Sequence, residues 1–539
     1  MIVLAAAVPM GWKLLSGTQP YTATPGKPVA YVGDRSCAEC HAKQSKEWLG
    51  SNHQRAMQPA TAETVLGDFT GKTFSQHGVT SRFFRKGAGF FVNTEGSDGR
   101  PADFEIKYTF GVEPLQQYLI EFPGGRLQSL TIAWDTVKKR WFSLYPAERF
   151  ATDDPLHWTG RYQNWNMMCG ECHTTDFKKG YDVKADTYQT TWSELDVGCQ
   201  ACHGPGGDHV AWARKGGRGA ASGLVVSFKG ADSRYEVDAC ATCHSRRGRV
   251  AGGEHPGRPL YDTLRPETLR AGLYHADGQQ LDEVYAYGSF RQSKMYSRGV
   301  RCTDCHNPHS GETKAKGNAV CTQCHRPEGN PRFPTLALKA YDAPSHHFHT
   351  AGSPGGQCVN CHMPTKDYMI VHPRPDHSLR PPRPDLSVKI GTPNACTGCH
   401  RNRTAEWAAA AVVKWYGPTR PMGWDWALAV AAGRAGARDG APALVAVAGD
   451  REQPAIVRAN ALNLLRAYGP QGTAAMTASL QDADPAVRLA AVAGLESMPP
   501  AERVAAAAPS LKDATRAVRI EAARVLAAVP IDRFDASQR

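Results

Sequence analysis

The pattern of apolar and polar positions changes twice along the chain. Between residues 68 and 148, short stretches such as 89–93, 104–110 and 127–134 alternate or run apolar for the length of a strand, and turns containing Gly or Pro separate them. This pattern predicts an antiparallel β insertion. After residue 400 the chain becomes alanine-rich, with apolar residues at i, i+4 and i+8, which lie on one helix face. We therefore predict a mainly α fold with one β insertion.

Three copies of a repeat lie within the alanine-rich segment. They share the pattern Val-Arg-x-x-Ala-x-x-x-Leu and begin at Val457, Val487 and Val518. A shorter helix precedes each copy, so the repeating element is a helix pair that stacks on its neighbours. The pattern resembles short HEAT-like repeats and predicts an α-solenoid over residues 401–530, with a tail at 531–539. The solenoid would either dock a partner on its concave face or brace the preceding domain.

All 16 cysteines fall within one recurring unit, Cys-x-x-Cys-His, which occurs eight times. This is the attachment signature of a c-type haem, in which both thiols bind the porphyrin covalently and the histidine takes an axial position on the iron. Paired zinc knuckles, the alternative, do not require a histidine after every second cysteine. We number the units 1 to 8 along the chain and predict eight covalently bound haem c groups. In order, the attaching cysteines are Cys37 and Cys40, Cys169 and Cys172, Cys199 and Cys202, Cys240 and Cys243, Cys302 and Cys305, Cys321 and Cys324, Cys358 and Cys361, and Cys396 and Cys399. The proximal iron ligands are His41, His173, His203, His244, His306, His325, His362 and His400.

Twelve of the 20 histidines lie outside these units and can supply the sixth iron ligands. An iron with two histidine ligands exchanges no substrate, which suits electron transfer. Our preferred distal set is His53, His157, His209, His275, His309, His347, His349 and His377. Each of them has the alternative role of partner to a haem propionate. His77, His255, His346 and His372 stay outside the set, and Met57 is an alternative to His53.

His309 carries the sharpest of these ligand predictions. It lies three residues after His306, the proximal histidine of unit 5. A residue so close in sequence lies on the same side of the porphyrin and cannot easily reach the opposite face. We therefore expect His309 to ligate a neighbouring haem.

Units 2 to 8 are crowded between residues 154 and 400, which leaves little room for an independent apolar core. Porphyrins must then form the core. We predict one octahaem domain over residues 31–400, with the β insertion at about residues 68–148.

The composition and net charge exclude some classes of protein and binding partner. The 539 residues are 41% hydrophobic, which excludes general disorder, and the mean hydropathy of −0.44 excludes an integral membrane protein. A net charge of +12 invites an acidic or nucleic-acid partner, but the propionates of eight haems would offset most of it. We therefore predict no nucleic-acid binding, and the alternative for the excess charge is a solvated basic surface.

Haem attachment takes place outside the cytoplasm, so we predict an exported protein, periplasmic or extracellular. Residues 1–12 form an apolar run of the length found in signal peptides, although no Lys or Arg precedes it. The run is too short to span a bilayer. We interpret residues 1–30 as a leader and linker.

The spacing of the units, the segment His306-Asn-Pro-His309 and the segment Cys361-His362-Met363-Pro364 resemble the multihaem cytochrome c family. That family includes the tetrahaem cytochrome of ammonia oxidisers, pentahaem nitrite reductase and octahaem hydroxylamine oxidoreductase. The resemblance covers residues 31–417, and residues 377–400 are similar to a branch that is often joined to helical repeats. It implies electron transfer to redox partner proteins, which include other cytochromes or a second copy of this chain.

Two other functions stay open. One is a reductase or oxidase of nitrite, hydroxylamine or tetrathionate with one open haem. The Cys-x-x-Cys-Lys unit that nitrite reductases usually carry at the active haem does not occur in this sequence. The other is an assembly or nanowire subunit that docks through the repeats.

Overall fold

The computed structural model describes residues 29–218, 222–252, 256–419 and 423–534. Most of the predicted leader, residues 535–539 of the predicted tail and His255 lie outside them. Helices account for 37% of the structure and strands for 16%. The chain therefore combines helices with antiparallel sheets.

Nine strands form one antiparallel sheet in the region of the predicted insertion. The order is β2-β3-β4-β5-β6-β8-β9, with β1 paired to β5 and β7 to β6. On β4 every second residue is buried, as the alternating sequence requires. The buried face carries aromatic side chains, and Phe83 stacks on Trp141 with ring centroids 3.6 Å apart. The strands are β1 (Met57–Pro59), β2 (Lys72–Gln76), β3 (Val79–Lys86), β4 (Gly89–Glu95), β5 (Pro101–Phe110), β6 (Leu115–Phe122), β7 (Arg126–Ser129), β8 (Ile132–Asp135) and β9 (Arg140–Ser143).

The region that carries the haem-attachment units has short helices and three two-stranded sheets. No side chain is buried between residues 301 and 367, where units 5, 6 and 7 lie. The helices are α1 (Asp34–Ala38), α2 (Ala42–Trp48), α3 (Trp165–Met168), α4 (Gly170–His173), α5 (Cys199–His203), α6 (Gly207–Arg214), α7 (Ser233–Ala241), α8 (Leu260–Thr263), α9 (Tyr287–Phe290), α10 (Lys294–Ser297), α11 (Cys302–Cys305), α12 (Ala319–Thr322), α13 (Pro344–His347), α14 (Cys358–His362), α15 (Pro384–Ile390) and α16 (Ala395–Cys399). The paired strands are β10 (Tyr181–Asp182) with β11 (Thr187–Tyr188), β12 (Arg247–Arg249) with β13 (Leu264–Pro266), and β14 (Thr365–Tyr368) with β15 (His372–Pro375).

The alanine-rich segment folds into longer helices that pack in succession. They are α17 (Ala405–Tyr416), α18 (Trp426–Arg434), α19 (Gly440–Gly449), α20 (Ala455–Leu465), α21 (Gly469–Ser479), α22 (Pro485–Gly494), α23 (Pro500–Ala507) and α24 (Arg516–Leu526). The repeated arginines link one helix pair to the next. Arg458 of α20 binds Asp482, which precedes α22. Arg488 of α22 binds Asp513, which precedes α24, with 2.7 Å between nitrogen and oxygen.

The C-terminal helices share one hydrophobic core with the region of the haem-attachment units. Val237, Leu260 and Phe290 belong to the same buried cluster as Val487 and Val518 of the repeats. Helix α7 ends within unit 4, so this core directly supports a segment that carries an attachment unit.

One buried ion pair also joins the two regions. Arg291 lies 2.5 Å from the carboxylate of Asp484, and both side chains are at most 10% exposed. The guanidinium also donates to the hydroxyl of Tyr261 at 2.9 Å. The Arg291 charge, together with an N–H from Ala486, holds the pKa of Asp484 below its usual range despite burial.

Removing the carboxylate of Asp484 leaves the buried charge of Arg291 without its partner. We expect Asp484→Ala to lower the free energy of unfolding by about 3 kcal/mol. Asp532→Ala is the matched control, because Asp532 is exposed and pairs loosely with Arg533 at 3.9 Å; it should leave stability unchanged. Denaturant unfolding of the holoprotein, followed by circular dichroism, measures both. Equal stability of the two variants would show that the pair does not hold the regions together.

Candidate haem sites

Each attachment unit lies on or beside a single turn of helix. In unit 1 the N–H of His41 donates to the carbonyl of Cys37 at 2.9 Å, and in unit 4 His244 donates to Cys240 at 2.9 Å. The same bond occurs in units 5, 6 and 8, at 2.9, 3.0 and 2.8 Å. Positions i, i+3 and i+4 of such a turn lie on one side. Both thiols and the imidazole therefore face the same way, as attachment to one porphyrin requires, and all 16 thiols are free of disulfides.

Backbone carbonyls fix the orientation of several imidazoles. Nδ1 of His173 donates to the carbonyl of Ala56 at 3.0 Å, and Nδ1 of His362 donates to Arg380 at 2.8 Å. An imidazole that donates through Nδ1 presents Nε2 as the metal ligand. Other imidazoles bound to carbonyls are His53 to Pro308, His203 to Val226, His209 to Ser222 and His377 to Pro375.

Four proximal histidines each face a second imidazole, and the distance between the ring centroids is nearly the same in all four pairs. Two imidazoles bound to opposite sides of one metal at about 2 Å have ring centroids about 6 Å apart. The observed centroid distances are 6.3 Å for His41 with His209, 6.2 Å for His244 with His53, 6.2 Å for His362 with His346 and 6.1 Å for His400 with His349. The donor sets of units 1, 4, 7 and 8 therefore fit a haem with two histidine ligands.

Two further pairs are close enough to interact electrostatically. Burial lowers the pKa of His203, and the nearby imidazole of His309 lowers it further. Burial also lowers the pKa of His377, with a contribution from His306. His309 is thus a neighbour of the proximal histidine of unit 3, as are His41 and His209. Its Nδ1 lies 3.6 Å from the carboxylate of Glu47.

Three histidines of the predicted distal set have other neighbours. His157 bonds to the hydroxyl of Thr159 at 2.8 Å, and its ring lies against Trp158. His275 is next to the charge of Asp277. His347 faces His349 at 6.4 Å. Among the described residues none of the three rings faces a proximal histidine.

The segment 344–349 brings His346, which lies outside the predicted distal set, to face an attachment unit. Helix α13 ends at His347, and Phe348 adopts a left-handed conformation with φ of 55°. This reversal directs His346 to His362 of unit 7 and His349 to His400 of unit 8. Three histidines in four residues signal a ligand-rich turn, but the turn decides which of them faces which unit. Met57, the alternative ligand, is 1% exposed and packs in the core with Phe110 and Trp165.

Within the described residues no second imidazole lies near the proximal histidine of unit 2, and in unit 6 His346 and His362 are electrostatic neighbours of His325 without ring contact. His173 meets the edge of Phe110 at 5.6 Å, and His325 meets the edge of Tyr341 at 5.3 Å. Near Cys169 and Cys172 lie the side chains of Glu283 and Tyr285, and Arg374 is a neighbour of Tyr285 and of His244 in unit 4. Arg374 pairs with Glu283 at 2.9 Å and lies 5.5 Å from the ring centroid of Tyr285. Tyr285 has a left-handed backbone, with φ of 59°.

The cysteines of different units are neighbours. In four pairs of cysteines the two thiols lie within hydrogen-bonding reach of each other. The pairs are Cys37 and Cys199, Cys172 and Cys243, Cys240 and Cys302, and Cys321 and Cys358. Electrostatic contacts join Cys202 to Cys240, Cys305 to Cys324 and Cys361 to Cys396. The units therefore follow one another in the order 1, 3, 4, 5, 6, 7, 8, and unit 2 branches from unit 4.

In the described part of the chain no helix is both long enough and apolar enough to cross a bilayer.

Two family profiles match the chain. The profile described as doubled CXXCH motif matches residues 295–330, and the profile described as cytochrome c554 and c-prime matches residues 36–70 and 138–204. The unmatched residues 71–137 contain strands β2 to β8. The sheet is thus largely an insertion between two matched segments.

The fold is similar to the crystal structure of the outer cell wall cytochrome OcwA. The TM-score is 0.50, the sequence identity is 18%, and the alignment covers 86% of this chain and 99% of that chain. No curated protein gives a significant match. The matched profiles and the recurring haem-attachment units show that segments of the chain are similar to multihaem c-type cytochromes.

Proposed function

We propose that this chain is an octahaem c-type cytochrome that conducts electrons outside the cytoplasm. Each unit would hold one haem c through its two thiols and its proximal histidine, and the bound group supplies a one-electron redox centre. The observation that carries the proposal is the unbroken succession of neighbouring units from unit 1 to unit 8. Electron tunnelling falls steeply with distance, so only centres that succeed one another closely can form a conduit.

The imidazole pairs support the same function. His209, His53, His346 and His349 are the distal ligands we propose for units 1, 4, 7 and 8, with His309 for unit 3 and His377 for unit 5. Irons with two histidine ligands are low-spin, reorganise little on reduction and bind no substrate. A chain of such centres transfers electrons without side reactions.

The proposed solenoid of HEAT-like repeats braces the haem domain. The shared core and the buried pair of Arg291 with Asp484 support this role, since both tie the repeats to the segment around unit 4. The proposed protein is exported and exchanges electrons with redox partner proteins. Similarity in fold to an outer cell wall cytochrome is compatible with that location.

A second candidate function is reduction of a small oxyanion at unit 2. The observation that favours it is the environment of His173, which no second imidazole faces among the described residues, while Tyr285 lies beside the same unit and Arg374 lies beside Tyr285. Arg374 would bind the anion by charge-assisted hydrogen bonds. Since unit 2 branches from unit 4, electron transfer from unit 1 to unit 8 would not pass through unit 2.

The haem count is the first test. Intact mass and a pyridine haemochrome assay of the mature protein should return eight haems per chain, because each unit has both thiols and a histidine. The double substitution Cys321→Ser and Cys324→Ser should return seven, since it removes only the attachment thiols of unit 6. Seven or fewer haems in the unsubstituted protein would contradict the octahaem proposal.

His309→Ala tests the assignment of a ligand across units. All eight haems should stay attached, because no unit is altered, while one iron becomes high-spin and binds cyanide. Electron paramagnetic resonance and cyanide titration measure this change. His77→Ala is the control, since His77 is an exposed residue of the sheet region, and it should change neither signal. An unchanged spin state in His309→Ala would leave His309 as a second-sphere residue.

Anion binding separates the two functions. If unit 2 is a reductase site, the unsubstituted protein should show one high-spin haem that binds nitrite, and Arg374→Gln should weaken that binding by about tenfold or more. Arg149→Gln, which removes an ion pair with Glu95 in the sheet region, should leave binding unchanged. Absence of nitrite binding in the unsubstituted holoprotein would eliminate the reductase and retain the conduit.

A further inference from the structure

Glu47 brings a carboxylate to the ring of His309. Its Oε2 lies 3.6 Å from Nδ1 of His309, and the same oxygen accepts a hydrogen bond from the amide of Asn307 at 3.1 Å. Glu47 is on α2, directly after unit 1, whereas Asn307 and His309 follow the proximal histidine of unit 5. The contact therefore joins segments 260 positions apart in the sequence.

Hydrogen bonds on both sides hold this contact in place. The indole of Trp48, the residue after Glu47, donates to the carbonyl of Val197 at 3.0 Å, which ties α2 to the chain just before unit 3. On the other side, the backbone N–H of His309 donates to the amide oxygen of Asn307 at 3.0 Å. Asn307 thus binds the carboxylate through its nitrogen and the backbone of His309 through its oxygen.

A carboxylate partner distinguishes His309 from other proposed iron ligands. In the described part of the chain, His309 is the only imidazole within ion-pairing distance of a carboxylate, and no lysine or arginine there pairs with Glu47. Several of the other proposed ligands direct Nδ1 at a backbone carbonyl, which is neutral. These are His173, His209, His349, His362 and His377.

The orientation of His309 decides what the charge of Glu47 does. Nδ1 faces the carboxylate, so Nε2 is the nitrogen left to bind iron. A negative charge beside Nδ1 makes the imidazole a stronger donor and favours ferric over ferrous iron, because the ferric form carries one more positive charge. The contact is longer than a hydrogen bond, and the side chains are 34% and 31% exposed, so the charge acts with partial screening.

We propose that Glu47 is a positioning residue that lowers the midpoint potential of the haem ligated by His309, which is the haem of unit 3 in the proposed assignment. This inference rests on the proposed function as an electron conduit. The reaction is the transfer of one electron to and from iron, and no bond forms or breaks. Since unit 3 lies between units 1 and 4 in the succession, Glu47 sets the potential of the second centre of the conduit.

Glu47→Gln tests the proposal, because it removes the charge and keeps the size of the side chain and an oxygen for Asn307. In a spectroelectrochemical titration of the full-length holoprotein at neutral pH, one haem should become easier to reduce. We expect its reduction equilibrium to change by about tenfold, which corresponds to about 59 mV. The haem count and the spin states should stay unchanged.

Two variants separate charge from packing. Glu312→Gln is the matched control, because Glu312 is an exposed carboxylate of the loop that also carries His309, yet it forms no ion pair in the described part of the chain; it should leave every potential unchanged. Glu47→Asp keeps the charge and should retain most of the low potential. An equal shift in Glu47→Gln and Glu47→Asp would overturn the proposal, since loss of packing would then explain it.

Electron paramagnetic resonance identifies the affected haem. The low-spin ferric signal that shifts in Glu47→Gln should be the signal that His309→Ala converts to high-spin. A shift of a different signal would overturn the proposal, and so would a His309→Ala protein in which every iron stays low-spin.

A second variant covers the case in which Glu47→Gln does not mature. Asn307→Ala releases the carboxylate without changing the net charge, so it should raise the same potential by a smaller amount, and an unchanged potential would overturn the proposal. Unchanged potentials in Glu47→Gln, in a protein that holds eight haems and accepts electrons, would refute the role of Glu47 alone. An unsubstituted protein that lacks haems or accepts no electrons would instead refute the proposed function itself.

Discussion

The segment that carries units 5 to 7 cannot be held together by its own side chains. Residues 301–367 have no buried side chain, whereas the sheet and the C-terminal helices each have a dense apolar core. Such a segment has too little apolar burial to offset the loss of chain entropy. Covalent links between thiols and porphyrins, as proposed for units 5 to 7, would supply the constraint that its side chains do not.

The two well-packed bodies flank this segment. The sheet covers unit 2, because Phe110 of β5 meets His173 and the carbonyl of Ala56 fixes its imidazole. The C-terminal helices hold unit 4 through the core they share with α7. Rigid packing on both sides restricts the haem-attachment units to fixed relative positions, which short connecting loops alone could not do.

Sequence patterns predict those structural elements that are determined by residues close together in the sequence. The alternating stretches give the strands of the sheet, the three Val-Arg repeats give α20, α22 and α24, and the Cys-x-x-Cys-His units give the attachment points. They cannot predict which histidine faces which unit, because that depends on tertiary approach over long distances, as between His41 and His209. That His346 rather than His347 faces His362 depends on one left-handed residue, Phe348, whose conformation cannot be read from the periodicity of the sequence. The hydrogen bond from the N–H of Asp34 to the carboxylate of Glu194 likewise joins residues 160 positions apart.

The interleaving of early and late units has a consequence for biogenesis. Unit 1 lies against unit 3, and unit 2 lies against unit 4, so the N-terminal units find their neighbours only after a long stretch of later chain has been synthesised. Haem attachment at Cys37 and Cys40 during synthesis would therefore precede the approach of His209 to His41. Under the proposed function, the iron of unit 1 would have one protein ligand until His209 arrives, and the rate of chain synthesis would set how long another ligand could bind there.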